Sequence, residues 1–195
     1  GCFELDGQGT AIMTESCILN NNRNPGVSKA EAEEELMELL GLEKIIWLKG
    51  IKGRDITDGH TDFYARFASP GVVVVSRDTD KDSYDYKITR DNIKILENAT
   101  DAKGNPLELV VLDTPWDITT KFGTKDFAAG YVGYYVCNGA VIMQGFRDKK
   151  ADNEAKKKLA KVFPNHKIEQ ISIDGMASGG GSIHCATQQE PRALK

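Results

Sequence analysis

A cysteine closes the run Gly179-Gly180-Gly181-Ser182-Ile183-His184-Cys185, close to the C-terminal end of a 195-residue chain. Glycine accepts positive φ and lets a ligand approach the backbone. A thiol held there beside an imidazole can ionise and act as a nucleophile. The same run also reads as a loop that happens to contain cysteine, and the segment alone leaves both readings open. A second cluster, Asp58-Gly59-His60-Thr61-Asp62, puts a histidine and a carboxylate two positions apart. On an extended backbone that spacing points both side chains to one face. A histidine beside a carboxylate is a usable acid/base pair, because imidazole titrates at about 6.5. The alternative is an Asp58-Gly59 turn leading into a strand whose polar residues face water. His184 alternates with Cys185, so an extended backbone turns it away from the thiol and makes it a packed or hydrogen-bonded strand residue rather than the base. His166, after Pro164-Asn165, reads as loop surface.

Side chains this far apart in sequence need a frame to bring them together. Three glycine-led apolar runs, at 9–15, 71–77 and 139–145, resemble one another. Each follows a strand-like stretch (3–6, 63–68 and 131–137) across glycine-containing turn chemistry. Each is followed by a helix candidate and one more strand, at 44–48, 107–112 and 167–173. The first helix is the clearest. Ser28 with Glu31 makes a capping box, Ala32, Leu36, Leu39 and Leu40 make an apolar stripe, and Gly41 stops it. The second is expected over 90–98. The third is expected over 152–163, ending at Pro164, with Lys156-Lys157-Lys158 on its solvated face. The polar stretch 78–85 reads as a surface loop and 114–124 as an irregular connection.

The unit is therefore strand, strand, helix, strand, three times over, in an α/β repeat architecture that radial repetition could close. The repeats cover roughly residues 1–50, 60–113 and 130–174, and 175–195 forms a loop bearing Cys185. No linker divides the chain, so 1–195 reads as a single domain.

Composition narrows the functions. About 40% of residues are hydrophobic, enough for a packed core. A net charge of −4 and a pI near 5.5 argue against a nucleic-acid partner. No apolar run approaches the about 18 residues of a membrane span, and residues 1–20 lack the pattern of a signal peptide. Cys2, Cys17, Cys137 and Cys185 are widely spaced without a CxxC pair, which argues for reduced thiols and against a structural zinc site. The sequon Asn98-Ala99-Thr100 is too short a pattern to carry weight.

Taken together, the stretches GTAIMTESCILNNNRNP, EKIIWLKG, TDGHTDFYARF, ATDAKGNPLELVVLDTP, FAAGYVGYYVCNGAVIM and GGGSIHCATQQEP resemble the agmatine deiminase and bacterial-type peptidylarginine deiminase family of guanidine-modifying hydrolases. The resemblance runs from end to end of the chain. It implies a five-bladed α/β propeller (a pentein) built from the unit above, of which about three blades are present. It implies Cys185 as nucleophile, His60 as general acid/base and Asp62 as the carboxylate that binds the guanidinium, with no metal or cofactor. Asp58, Gly180 and Gly181 become candidate substrate contacts. The expected reaction converts agmatine to N-carbamoylputrescine and ammonia. Arginine within peptides is the alternative substrate, and a non-catalytic propeller fragment the alternative role. Arg66 is expected in a structural ion pair, or else on a substrate carboxylate. Members of the family are nearly twice this long, so the resemblance also implies about two further N-terminal blades with which this chain associates. On that expectation it is a fragment or one piece of a split enzyme, inactive alone. A cytoplasmic location and a homo-oligomer are likewise expected from the resemblance only.

Overall fold

The computed structural model describes residues 1–116, 118 and 123–190. Among the described residues, nine strands form three separate three-stranded sheets. The first contains β1 (Phe3–Leu5), β2 (Thr10–Thr14) and β3 (Lys44–Leu48). The second contains β4 (Ala65–Ser69), β5 (Val72–Arg77) and β6 (Glu108–Asp113), and the third β7 (Tyr135–Cys137), β8 (Ala140–Gly145) and β9 (Lys167–Ser172). In every sheet the first two strands form an antiparallel hairpin and the third joins parallel to the middle one. A parallel partner needs a crossover, and a helix supplies it. The crossovers are α2 (Lys29–Leu40), α3 (Asp85–Glu97) and α4 (Lys149–Val162); α1 (Glu15–Ile18) and α5 (Asp174–Ala177) are single turns. The repeated unit read from the sequence is thus present three times in an α/β fold.

Sequence sets the helix ends. Ser28 Oγ accepts from the Glu31 amide while Glu31 returns a bond to the Ser28 amide, and Gly41 closes α2 at φ 64°. Leu36 and Leu40 pack inward with Ala32, but Leu39 is 69% exposed and leaves the expected stripe. The second helix begins at Asp85, not residue 90, because the polar Thr89 and Asn92 lie on its buried face and mask the apolar period. The third begins at Lys149, where the Asp148 carboxylate caps the Ala151 amide. The expected strand at 131–137 shrinks to β7, since 131–134 runs irregularly with Tyr131 and Tyr134 buried. Of the expected irregular connection at 114–124, residues 117 and 119–122 lie outside the described residues. The lysine run is not wholly solvated either, because Lys158 Nζ donates to the Val111 carbonyl.

Strand alternation builds the core. Ala11 and Met13 on β2 face α2, whereas Ile12 joins Val73, Val75 and Leu96 of the next unit. In β5, Val74 faces the third unit with Leu112, Met143 and Leu159. Each later helix packs on its own sheet and on the last strand of the sheet before it. Asn92 on α3 is fully buried and bonds both the amide and the carbonyl of Lys49, just past β3. Asn92→Ala would leave those two backbone groups without partners. We expect a loss of about 2–4 kcal/mol in unfolding free energy by urea titration. No helix among the described residues is long and apolar enough to cross a membrane.

Candidate active site

The turn that carries His60 is held by one carboxylate. Asp55 accepts from the Thr57 amide at 2.6 Å, from the Thr57 hydroxyl and from the Gly59 amide at 2.9 Å. Thr57 Oγ1 then accepts from the His60 amide at 3.0 Å. Asp58 and Gly59 both take positive φ, and the chain enters a 3-10 turn at Thr61–Phe63. The Asp58-Gly59 turn of the alternative reading is present, but the extended stretch expected after it gives way to this 3-10 turn, and together they send His60 and Asp62 to the same place. Thr61 fixes it to the N-terminal strand, its amide and hydroxyl bonding the Gly1 and Cys2 carbonyls at 2.8 Å each.

The glycine run forms the opposite wall. After α5 the chain bends at Gly180, φ 81°, where an added Cβ would lie 3.0 Å from Ile56 Cδ1 and 3.3 Å from the Asp126 carbonyl. His184 and Cys185 then lie on a second 3-10 turn, His184–Ala186, anchored by the His184 amide on the Gly133 carbonyl at 2.9 Å. The expected extended backbone is therefore absent here, and with it the reason for turning His184 away.

These walls enclose a cavity of about 300 Å³ lined by His60, Asp62, Gly180, Gly181, His184 and Cys185 among others. Asp62, 2% exposed, is its centre. Its Oδ2 takes a 2.6 Å bond from His184 Nδ1 and lies 3.7 Å from Cys185 Sγ. Its Oδ1 lies 3.9 Å from His60 Nδ1, with no hydrogen-bond partner among the described residues. Burial pushes the Asp62 carboxyl up, but the His184 bond and the charges around it outweigh that and hold it below the usual range. Ser182 Oγ is 3.2 Å from Cys185 Sγ on the other side.

Cys185, His60, Asp62, Gly180 and Gly181 are thus brought together. Asp58 is not: its carboxylate is taken by Asn22 at 2.8 Å, Arg23 at 3.0 Å and the Gly53 amide at 2.6 Å, and it lies outside the cavity lining. It braces the turn. Arg66 is likewise buried, bonded to Glu4 at 3.4 Å and to the Tyr134 carbonyl, and stacked on the Tyr134 ring. Sequence reasoning missed Asp55, Ser182 and the return of His184. It also missed Cys2, whose Sγ is 3.4 Å from His60 Nε2. Hydrogen bonds from Cys17 and then His60 lower the Cys2 thiol to about 4 against burial, while the same pairing pushes Cys17 up.

A second cavity meets the first at Ile56 and Gly180 and holds Asp85 and Tyr64, bonded at 3.0 Å. Burial raises Asp85 to about 6 against the Tyr64 bond, helped by the charges of Asp78 and Asp55. The folded value exceeds the unfolded one of about 3.9, so the folded state gains most below about pH 4 and loses that gain as pH rises through about 6. Asp85→Asn removes the titration. Relative to the unsubstituted protein, its stability should improve by of order 2 kcal/mol between pH 4 and 7 in urea unfolding.

A sequence profile of the Porphyromonas-type peptidyl-arginine deiminase family matches residues 1–191. The agmatine deiminase of Medicago truncatula is 39% identical over 98% of this chain and 56% of its own length. The agmatine deiminase of Enterococcus faecalis superposes with a TM-score of 0.92 at 33% identity, over all of this chain and 57% of that one. A substrate-bound C. jejuni agmatine deiminase gives 0.87 at 28% identity, over 100% of this chain and 56% of its own. The chain spans little more than half the length of the relatives it matches.

Proposed function

Because the chain belongs to the Porphyromonas-type peptidyl-arginine deiminase family, we propose that its cavity carries out hydrolytic deimination of a guanidinium group, with agmatine as the substrate. The observation that carries this reading is the buried Oδ1 of Asp62, without a hydrogen-bond partner among the described residues, in a cavity whose thiol lies 3.7 Å from the other oxygen of the same carboxylate. A guanidinium is planar, permanently protonated and made only of donors, so it satisfies such an oxygen and neutralises the charge beneath it.

The chemistry follows from the placement. Cys185 Sγ, as thiolate, adds to the central guanidinium carbon. That carbon then expels one nitrogen as ammonia, to which protonated His60 gives the proton. The result is a positively charged amidino-thioether on Cys185. Neutral His60 next takes a proton from water, whose oxygen adds to the same carbon, and the thiolate leaves. The balance is agmatine cation plus water giving N-carbamoylputrescine plus ammonium. His184 holds the Asp62 carboxylate so that Oδ1 stays turned to the substrate; no step asks it to accept a proton.

The agmatine preference draws on the names of the similar proteins above. The three units are read as consecutive blades of a five-bladed α/β propeller, supported by the repeated sheet order and by a chain that spans 56% of a relative's length. The test is ammonia release from agmatine, free arginine and a blocked arginine peptide, assayed in parallel on the chain joined to the N-terminal blades expected to complete it. Agmatine should exceed the other two by at least about tenfold in kcat/KM. Faster release from the peptide would replace agmatine as the substrate, and release from none of them would reject the reading.

A further inference from the structure

His60 faces two ways. Its Nδ1 looks to Asp62, and its Nε2 lies 3.4 Å from Cys2 Sγ. Beyond Cys2 is Cys17, fully buried on α1. The two sulfurs and the His60 nitrogen all lie within 4.8 Å of one another. Both thiols are free, and the proposed reaction uses neither. Two sulfurs and an imidazole nitrogen form a soft donor set, suited to a zinc-like cation.

The spacing fits such an ion. Zinc–sulfur bonds of about 2.3 Å and zinc–nitrogen bonds of about 2.0 Å, at tetrahedral angles, put the donor atoms about 3.5–3.8 Å apart. The Cys2–His60 separation of 3.4 Å lies just below this range, and the remaining pairs need to close by at most about 1.3 Å. Metal-bound histidines commonly direct their second nitrogen toward a carboxylate, and Asp62 Oδ1 stands 3.9 Å from His60 Nδ1. The three donors come from three segments: the residue before β1, the helical turn after β2 and the turn before β4. No local spacing motif could therefore have shown them.

We propose that Cys2, Cys17 and His60 form an inhibitory site for a soft divalent cation such as Zn²⁺, which blocks deimination by engaging the lone pair of His60. The ion binds both sulfurs as thiolates, any thiol proton still present passing to solvent. It takes up Nε2 of neutral His60 and leaves a fourth position to water. While it is bound, His60 can neither give nor take the protons the reaction requires. Binding stands on geometry alone; only the inhibition rests on the function proposed above.

The test titrates the protein with Zn²⁺, and with Co²⁺ as the spectroscopic probe, under a phosphine reductant. One ion per chain is expected, with a thiolate-to-cobalt charge-transfer band. Cys2→Ser and Cys17→Ser should each weaken binding by at least about 100-fold, and Cys185→Ser should leave it in place. A band that persists in the Cys2→Ser/Cys17→Ser double variant would overturn the site. So would a band lost with Cys185→Ser alone, which would place the ion on the nucleophile. Cys2 is only half-buried, so its variant decides the matter even where Cys17→Ser fails to fold. In the agmatine assay, Zn²⁺ should suppress ammonia release, and Cys2→Ser should lose that sensitivity relative to its own zinc-free rate. Stoichiometric binding without inhibition would overturn the inhibitory role and leave the site; absence of ammonia release without zinc would count against the deimination reading alone.

Discussion

Replacing Cys185 with serine is expected to lower ammonia release from agmatine by at least about 10⁴-fold, because the whole sequence of bonds passes through that sulfur. A serine hydroxyl ionises far less readily than a thiol. The groups around it, Ser182 at 3.2 Å and Asp62 at 3.7 Å, offer no neutral imidazole placed to take its proton. Covalent labelling provides a second readout. 2-Chloroacetamidine mimics the guanidinium and alkylates an activated thiol. Intact mass and peptide mapping should place a single adduct on Cys185, and Cys185→Ser should carry none. The competing thiol is Cys2, whose ionisation is favoured by Cys17 and His60. An adduct on Cys2 at the same rate, or turnover by Cys185→Ser at the unsubstituted level, would reject Cys185 as the nucleophile.

Asp62→Asn carries the next largest effect. The amide keeps the shape of the side chain, so the buried position should still fold, but it removes the charge and one acceptor. Each lost hydrogen bond to a charged group costs about 1.5–3 kcal/mol, and two such losses correspond to about 10²–10⁴-fold in kcat/KM. The signature is selectivity for cations. Labelling by chloroacetamidine should fall by at least about 100-fold, whereas labelling by neutral iodoacetamide should change by less than about tenfold. Equal losses with both reagents would mean that Asp62 acts on the thiol rather than on the substrate, and would sink its role as guanidinium ligand.

The frame was legible in the chain because its signals are local. Glycine-led apolar runs, hairpin turns and the Ser28–Glu31 cap each lie within a few residues, and all are present in the structure. What was not legible depends on contacts distant in sequence. Asn92 lies inside the helix expected over 90–98, but nothing near it in sequence announces its partner, the backbone of Lys49, 43 positions away. His184 looked misdirected because a two-residue alternation was assumed where the chain makes a 3-10 turn. That turn is anchored on the Gly133 carbonyl, which no neighbouring residue announces. Asp58 was drawn toward the substrate by its place beside His60, yet Asn22 and Arg23 occupy it from another loop. His60, Asp62 and Cys185, named from residue type and motif, line one cavity, but Asp62 and Cys185 lie on 3-10 turns and not on the extended backbone first assumed.

The separation of the two walls has a kinetic consequence. Asp62 and Cys185 are 123 residues apart, with the sheets and helices of two entire units between them. Bringing such ends together costs about 4 kcal/mol in chain entropy, a cost recovered only once both intervening units have docked. During refolding, helical signal should therefore return early and the labelling reactivity of Cys185 late. A chain whose third unit docks wrongly would keep its secondary structure and lose the thiol from Asp62. Reactivity toward a cationic alkylator thus reports on completed assembly, which circular dichroism would miss.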